Sequence, residues 1–420
     1  MKFCEFTKTL LKNANPEEYS IISLDINNFH YIADTFGQET GDTVIKQLAA
    51  HIKEEFPLGT LFCRNYADNF SILVKASFRP ILEDLVINAT NIQAALIGLL
   101  PEYYQLEFSI GVYVINNTEE KPELMLENAN MARQLGKYGL NPNRISYYTE
   151  EMKTNTERDK DVTLDMNRAF NENEFEVFFQ PKFNFKTGAI IGAEALIRWN
   201  HKTKGLLTPN YFVPLFEKNG FIQKIDMLVF ERVCQFLDRW NKSGADGSCP
   251  HPITISCNLS RVQLYNPDVA KRYASIAKKY HITPSKIEIE LTESLMMGNK
   301  ERLLRAMNEI RKAGFEISVD DFGSGFSSLS LLKDIPANVI KLDKEFLNTN
   351  NNNDKEQIII NSIIGMAKQL DITTVAEGVE DQEQSDLLKA MGCDIVQGYY
   401  YARPMPAKEY EALLHAQFDK

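Results

Sequence analysis

The chain has 420 residues, of which 44% are hydrophobic and 25% are charged, and its formal net charge is -11. This length exceeds one ordinary core and predicts two domains, one of them a large barrel. The acidic balance excludes the basic surface of a typical nucleic-acid binding protein, and no apolar run is long enough to span a membrane. Six scattered cysteines without a C-x-x-C pair favour a reducing cytoplasm.

Residues 1–150 predict a mixed α and β domain. Its expected elements, in chain order, are a strand at 19–26, a helix at 39–56, a hairpin at 60–75, a helix at 82–100, a strand at 106–115 and a helix at 121–139. The charged, glycine-free segment 151–165 predicts a helical linker to a second domain.

Residues 166–420 show short apolar runs that alternate with helical patterns. The runs lie at 175–181, 190–199, 253–260, 287–294, 316–322, 339–343, 373–380 and 394–400. Eight strands alternating with helices over about 250 residues predict a TIM-like (β/α)₈ barrel. Only NFKTG separates the first two runs, which indicates a hairpin with an antiparallel first strand.

Polar residues interrupt or end almost every predicted barrel strand. They are Gln180, Glu194, Arg198, Asn258, Glu290, Glu293, Asp320, Asp321, Lys341, Asp343, Glu377, Glu380 and Gln397. The C-terminal ends of barrel strands carry catalytic groups, so we expect these side chains to converge. Carboxylates from five strands would repel one another without a cation between them.

Oxygen ligands without His or Cys favour one or two hard cations, Mg²⁺ or Mn²⁺, rather than zinc. A pair of such ions is a known device for in-line phosphoryl displacement. The alternative is a barrel whose strand ends form salt bridges with the surrounding helices.

The stretch ISVDDFGSGF (317–326) contains two adjacent acids. Neighbouring side chains of a regular strand point to opposite faces, so Asp320 and Asp321 can serve one site only if the strand stops there. We expect Gly323 and Gly325 to turn the chain away at this point.

Seven segments, EALIRW, CNLS, ELTES, VDDFGSGFSSL, VIKLDKEF, AEGVE and QGYY, resemble in order the motifs of the EAL-domain cyclic di-GMP phosphodiesterases. The resemblance extends from about residue 163 to the end. It implies a TIM-like barrel with an antiparallel first strand, and hydrolysis of cyclic di-GMP to linear pGpG by a water activated by two cations, Mg²⁺ or Mn²⁺. A homodimer through this domain is also implied.

The resemblance also implies roles for individual residues. The ligands of the two cations would be Glu194, Asn258, Glu290, Asp320, Asp321 and Glu377, with Asp320 bridging. Glu377 is alternatively a general base, and Lys341 would orient the attacking water. Glu293 would support the loop after the fifth strand, in which Ser324 and Phe326 replace the family's frequent Thr and Tyr. Contacts to the substrate, or support of its binding wall, are implied for Gln180, Arg198, Asp343, Glu380 and Gln397.

The N-terminal half resembles a degenerate GGDEF (diguanylate cyclase) domain of α+β, palm-like fold. SLDINNF (23–29) matches the strand-end acidic motif, but the family signature has become YADNF (66–70), without its glycines. Side chains there would crowd the nucleotide phosphates, so we expect a regulatory or dimerising domain rather than a cyclase. A residual nucleotide site for GTP is left open, formed by Asp25, Asp42, Asp68 and Lys137.

Three functions therefore compete. A complete set of metal-ligand positions favours an active phosphodiesterase over a receptor that binds cyclic di-GMP without cleaving it. The YADNF signature opposes a bifunctional cyclase-phosphodiesterase. We expect a cytoplasmic protein whose input signal comes from an external partner.

Overall fold

The computed structural model describes residues 2–57, 60–78, 100–101, 106–137, 145–244, 248–292, 300–322, 335–344 and 354–418. It separates into an N-terminal unit, Met1–Lys160, and a C-terminal unit, Asp161–Lys420. Hydrophobic clusters lie within each unit. No helix in the described ranges has the length and apolar character needed to cross a membrane.

The N-terminal unit is built on a five-stranded sheet. Its elements are α1 (Lys2–Leu11), β1 (Tyr19–Ile26), α2 (Phe29–Phe36), α3 (Gln38–Glu55), β2 (Leu61–Tyr66), β3 (Asn69–Lys75), β4 (Phe108–Val114), α4 (Pro122–Lys137) and β5 (Ile145–Tyr147). The strand order is β2-β3-β1-β4-β5, with β1 antiparallel to both neighbours. The predicted strand 19–26 and hairpin 60–75 are confirmed, whereas almost all of the predicted helix 82–100 lies outside the described residues.

Helix α5 (Glu150–Asn171) contains the division between the units. The elements that follow are β6 (Phe175–Asn184), β7 (Ile190–His201), β8 (Gly205–Leu207), α6 (Pro209–Asn219), α7 (Ile222–Asn241), β9 (Thr254–Asn258), α8 (Arg261–Leu264), α9 (Val269–Lys279), β10 (Ile287–Thr292), α10 (Lys300–Lys312), β11 (Glu316–Phe322), β12 (Val339–Leu342), α11 (Asp354–Gln369), β13 (Thr373–Ala376), α12 (Gln382–Met391), β14 (Ile395–Val396), β15 (Met405–Pro406) and α13 (Ala407–Phe418).

Eight of these strands close into the predicted barrel. β6 pairs antiparallel with both β7 and β14, and the strands from β7 through β9 to β14 run parallel to one another. The antiparallel first strand is therefore confirmed. The short strands β8 and β15 extend the sheet outside the barrel. Apolar side chains on the outward face of each strand pack against the helices, which leaves the polar residues for the lumen.

Several strands end earlier than the sequence indicates. β13 ends at Ala376 and β14 at Val396, so Glu377, Glu380 and Gln397 follow the strands instead of belonging to them. Gly378 has a φ of 64°, a left-handed conformation that glycine adopts without strain and that turns the chain out of the sheet.

The sequence predicts the fifth barrel strand at 316–322, and β11 has these bounds, so the strand ends one residue after the paired acids. β11 continues through Phe322, but Asp321 has a φ of 54° and the pairing with β12 shifts register between Val319 and Phe322. This irregularity breaks the strict alternation of side chains, as a β-bulge does, and can re-aim a carboxylate. Gly323 and Gly325 lie outside the described residues.

Candidate active site

The ammonium group of Lys341 lies at the centre of the polar cluster in the barrel. Lys341 is fully buried on β12. Its Nζ lies 2.7 Å from Glu377 Oε1, 3.0 Å from Glu290 Oε2, 3.2 Å from Asp320 Oδ1 and 3.6 Å from Glu194 Oε2. Burial alone would lower the pKa of Lys341, but the surrounding carboxylates raise it well above its usual value. The sequence prediction that these strand ends converge is confirmed for these five residues.

One ammonium group cannot neutralise all of these carboxylates. Burial, and next the charge of Glu290, raises the pKa of Glu194 to about 7. Burial likewise raises the pKa of Glu377 well above its ordinary value. On the edge of the cluster, burial and the neighbouring Asp320 raise the pKa of Asp321 to about 6. Positive charge is therefore in short supply at this end of the barrel.

Glu290 differs from its neighbours because two ammonium groups contact it. Burial would raise its pKa, but Lys341 and Lys182 outweigh burial and lower the pKa to about 2. Lys182 Nζ donates to Glu290 Oε1 at 3.1 Å, on the side of the carboxylate opposite Lys341. The sequence prediction missed Lys182, although it follows Gln180 at the two-residue spacing of one strand face.

The donor set fits a hard divalent cation in its chemistry. Glu290 Oε2 and Glu377 Oε1 are shielded from solvent and have no hydrogen-bond partner within the described ranges, only the charge of Lys341 nearby. In the same ranges, no three Asp, Glu, His or Cys side chains stand in metal-binding geometry. The carboxylates point to the Lys341 ammonium, so they would have to adjust to share an added cation.

Amides orient the carboxylate of Glu194. Asn258 Nδ2 donates to Glu194 Oε1 at 2.9 Å, and Gln397 Nε2 donates to Glu194 Oε2 at 2.6 Å. Gln397 also donates to Gln180 Oε1 at 3.1 Å, and Gln180 donates to the Ala402 carbonyl at 3.2 Å. The first, second, third and eighth barrel strands are thus joined at Glu194, as their predicted convergence requires.

The remaining predicted residues are less central. Asp343 is an electrostatic neighbour of Asp321. Arg198 is half-buried, lies over the Phe178 ring at 5.7 Å and donates to the Ile197 carbonyl. Glu380 is exposed. Three residues with expected roles lie outside the described residues: Glu293, Ser324 and Phe326.

Two cavities open beside the cluster. The smaller, of about 230 Å³, is lined by residues that include Gln180, Glu194, Glu377, Glu380, Gln397 and Tyr399. The larger, of about 750 Å³ and mostly apolar, is bounded in part by Leu196, Asn258 and Ser260, with Asp226 among its lining. Burial raises the pKa of Asp226 to about 7, even though Ser260 donates to it from its backbone N and its Oγ. The sequence prediction missed Asp226, whose only signal is an acid within an apolar stretch of helix.

The acidic strand end of the N-terminal unit has a different environment. Asp25 Oδ2 accepts a hydrogen bond from Arg133 Nη1 and lies 3.6 Å from Lys137 Nζ. Arg133 is only 4% exposed, and its Nε donates to Ser23 Oγ at 3.1 Å. Asp68 Oδ2 accepts from the backbone N of Ile26 at 3.0 Å. The structure therefore brings together three of the four residues of the predicted nucleotide site.

Asp42, the fourth residue, is exposed on α3. In the hairpin, Ala67 has a left-handed φ of 44°, at a position where the GGDEF signature has glycine. The buried side chain of Asn69 donates to Ser23 Oγ and accepts from Asn65 at 2.6 Å. Arg133 and Lys137 already neutralise Asp25, so these residues do not fit a metal-bound nucleotide. The sequence prediction missed Arg133, because nothing in the pattern of α4 indicates its partner.

Two family models match the chain. The EAL domain model covers residues 164–404, more than half of the chain, and the model "Diguanylate cyclase, GGDEF domain" covers residues 1–139. The bifunctional diguanylate cyclase/cyclic di-GMP phosphodiesterase MucR of Pseudomonas aeruginosa is 29% identical over 400 residues, which are 93% of this chain and 56% of MucR. The cyclic di-GMP phosphodiesterase NbdA of the same organism is 28% identical over 408 residues, 95% of this chain and 50% of NbdA.

The chain thus spans about half the length of these curated relatives. Among solved structures, the PaMucR phosphodiesterase in complex with c-di-GMP is similar with a TM-score of 0.56 and 33% identity. That match covers 60% of this chain and 99% of the solved one. The architecture of this part of the chain agrees with that of the solved phosphodiesterase.

Proposed function

Because this chain belongs to the EAL domain family and carries a GGDEF domain before its EAL domain, we propose that its barrel hydrolyses cyclic di-GMP to linear pGpG. The observation that carries this proposal is the buried excess of carboxylates around Lys341. Such an excess suits divalent cations and a phosphorylated substrate. Similarity to proteins named as cyclic di-GMP phosphodiesterases supports the choice of substrate.

We assign two divalent cations, Mg²⁺ or Mn²⁺, to six oxygen-bearing side chains: Glu194, Asn258, Glu290, Asp320, Asp321 and Glu377. When bound, such ions lower the pKa of a water molecule and neutralise phosphate oxygens. Lys341, within ion-pair distance of four carboxylates, would orient the attacking water. We favour the ligand role for Glu377 over the general-base role, because a carboxylate beside two cations accepts protons poorly.

Hydrolysis adds water across one phosphodiester bond. The water oxygen joins the phosphorus, and the 3′ oxygen leaves and takes up a proton. Arg198 would pair with a phosphate, and Glu293 would support the loop after the fifth strand. Gln180, Asp343, Glu380 and Gln397 would face the substrate or support its wall. Gln397 Oε1 is buried without a hydrogen-bond partner in the described ranges, which suits an acceptor for a base N–H.

Incubation of the purified chain with cyclic di-GMP and Mg²⁺ or Mn²⁺, followed by chromatography, tests the activity. We expect pGpG to form with at least one of the two metals and none to form in EDTA. Tight binding without product under either metal would instead establish a receptor that does not cleave its ligand.

For the N-terminal unit, we infer a regulatory role without cyclase activity. Asn69 is hydrogen-bonded to other side chains of the unit, and Asp25 is paired with Arg133, so both side chains are already engaged and oppose catalysis on a nucleotide. GTP with Mg²⁺ should therefore give no cyclic di-GMP, and steady synthesis would contradict this inference. The same turnover assay with and without GTP tests whether GTP regulates the barrel, although the ion pairs of Asp25 oppose a GTP site formed by Asp25, Asp42, Asp68 and Lys137.

We also propose that the protein is cytoplasmic and dimerises through its EAL domain. All six cysteines are unpaired, which suits a reducing compartment. On α11, Ile358 is 63% exposed and Ile359 is 47% exposed, an apolar face that a second copy could cover. Sedimentation should show a dimer that Ile358→Glu converts to monomer. A wild-type monomer at micromolar concentration would contradict this part of the proposal.

A further inference from the structure

A second charged layer lies beneath the Lys341 cluster in the barrel lumen. Lys182 on β6 is 4% exposed, and its ammonium donates to three buried oxygens. The acceptors are Ser256 Oγ at 2.8 Å, Glu288 Oε1 at 3.1 Å and Glu290 Oε1 at 3.1 Å. Three donors of one ammonium thus meet three acceptors, so Lys182 has one defined position.

Strand geometry explains how Lys182 reaches these partners. Glu288 and Glu290 are two residues apart on β10 and therefore share the inward face. Lys182 pairs in register with Gly192 of β7, which shares its face with Glu194 and has no side chain. A Cβ on Gly192 would lie 1.9 Å from the Thr254 carbonyl oxygen, so the close approach of β7 and β9 requires glycine here.

The shared partner of the two layers is Glu290. Lys182 holds its Oε1, while its Oε2 faces Lys341 at 3.0 Å on the catalytic side. If a cation replaced Lys341 at Oε2 of Glu290, the hydrogen bond from Lys182 to Oε1 would remain. Groups that hold a metal ligand from behind fix its orientation and tune its affinity for the metal.

We propose that Lys182 is a positioning residue that orients Glu290 toward the cations, with Glu288 and Ser256 as its anchors. This inference rests on the proposed function, since it requires that Glu290 binds a cation. Lys182 itself does not reach the substrate: its three donors are used within the barrel, below the oxygen that faces Lys341.

Three proteins test the proposal: the wild type, Lys182→Met, and Lys182→Met/Glu288→Gln. The single variant removes the ammonium but keeps the length of the side chain. The double variant also removes one carboxylate, so it restores the charge balance and guards against a single variant that fails to fold. The measurements are the dissociation constant for Mn²⁺ by calorimetry, the thermal midpoint without metal, and turnover of cyclic di-GMP as a function of Mn²⁺ concentration.

We expect both variants to bind Mn²⁺ about 10- to 100-fold more weakly, the usual cost of losing a group behind a metal ligand. The double variant should unfold near the wild-type temperature, and saturating Mn²⁺ should recover much of its turnover. If Lys182 only stabilised the fold, the Mn²⁺ concentration needed for half-maximal turnover would not increase in this way. Wild-type Mn²⁺ affinity in the double variant would overturn the proposal, because Lys182 would then supply charge alone. A wild-type protein that binds no Mn²⁺ and forms no pGpG would instead refute the proposed function itself.

Discussion

Buried acids lie at strand ends in both units of this chain, but the surrounding charges differ. In the N-terminal unit, the single carboxylate of Asp25 pairs with two cations, Arg133 and Lys137. In the barrel, the ammonium of Lys341 faces four carboxylates, and a second ammonium, that of Lys182, contacts Glu290. A buried carboxylate is costly unless a positive charge or a proton neutralises it. The charge of Asp25 is therefore balanced within its own unit, whereas the carboxylate cluster of the barrel calls for added positive charge.

The charge of the buried acid Asp226 is balanced in a third way. It is buried on α7 beside the larger cavity, has no cation among the contacts described, and is held by Ser260. Burial raises its pKa to about 7, so protonation offsets its charge below about that pH. Buried acids in this chain thus differ in whether an internal cation, a proton or an added metal balances them, and acid content alone does not predict which.

The largest effect should follow from removing a ligand in the barrel. We expect Glu194→Ala to lower turnover by about 1,000-fold or more, because its carboxylate would help hold the cations. The metal-free barrel should stay folded, since the substitution relieves a crowded carboxylate whose pKa burial already raises to about 7. Chromatographic turnover and the thermal midpoint in EDTA measure the two quantities. Retained turnover would remove Glu194 from the ligand set.

In the N-terminal unit, removing a cation instead of a carboxylate should lower the stability of the folded state. Arg133→Leu leaves Asp25 with Lys137 alone, and breaking a buried pair from one side costs about 3 to 5 kcal/mol. Faster hydrogen exchange in the peptide that contains residues 19–26 would report this loss for the unit itself. As a control, Lys242→Ala removes an exposed pair with Asp238 on α7 and should cost less than about 1 kcal/mol.

Adding Asp25→Asn to Arg133→Leu should recover much of the stability, because the buried carboxylate is gone and the ammonium of Lys137 is partly exposed to water. If Arg133→Leu costs no more than Lys242→Ala, the ion pair of Asp25 does not stabilise the strand end. If the single variant instead gains Mn²⁺ binding at Asp25, the guanidinium had been excluding a metal, which would sharpen the contrast with the barrel.

Much of the fold follows from local patterns. Alternating apolar runs and helices are sufficient to predict the barrel, and NFKTG is sufficient to predict its antiparallel first strand, because both depend on neighbouring residues. Strand ends are harder to locate. The bulge at Asp321 depends on how β11 meets β12, and the early end of β13 depends on the left-handed Gly378. Neither is marked by composition.

Site residues could be predicted when their position at the end of a strand marked them. They could not be predicted when their role depends on a partner far away in the sequence. Glu194, Glu290 and Asp320 were expected to converge, and they do. Lys182 and Arg133 were missed, because their importance comes from carboxylates 106 and 108 residues away in sequence. Charge balance in the interior is a property of the three-dimensional structure, and single residue types do not reveal it.

The last prediction concerns the buried acid Asp226, whose effect on stability appears only as the pH changes. Because folding raises its pKa from 3.8 to about 7, its contribution to stability is complete below about pH 4 and is lost as the pH rises through about 7. Asp226→Asn keeps an oxygen that can accept both bonds from Ser260 but does not titrate. The difference in the free energy of unfolding should therefore move in favour of the variant by up to about 4 kcal/mol between about pH 4 and pH 8.

Urea unfolding of both proteins in EDTA across this pH range measures that difference. Other raised carboxylates, such as Glu194, titrate in both proteins and cancel when the two curves are subtracted. A difference that is constant with pH would mean that Asp226 is ionised in the folded protein and that an unrecognised cation balances it. A difference that grows with pH would show that protonation offsets the charge of buried Asp226, as the ion pair with Arg133 offsets that of Asp25.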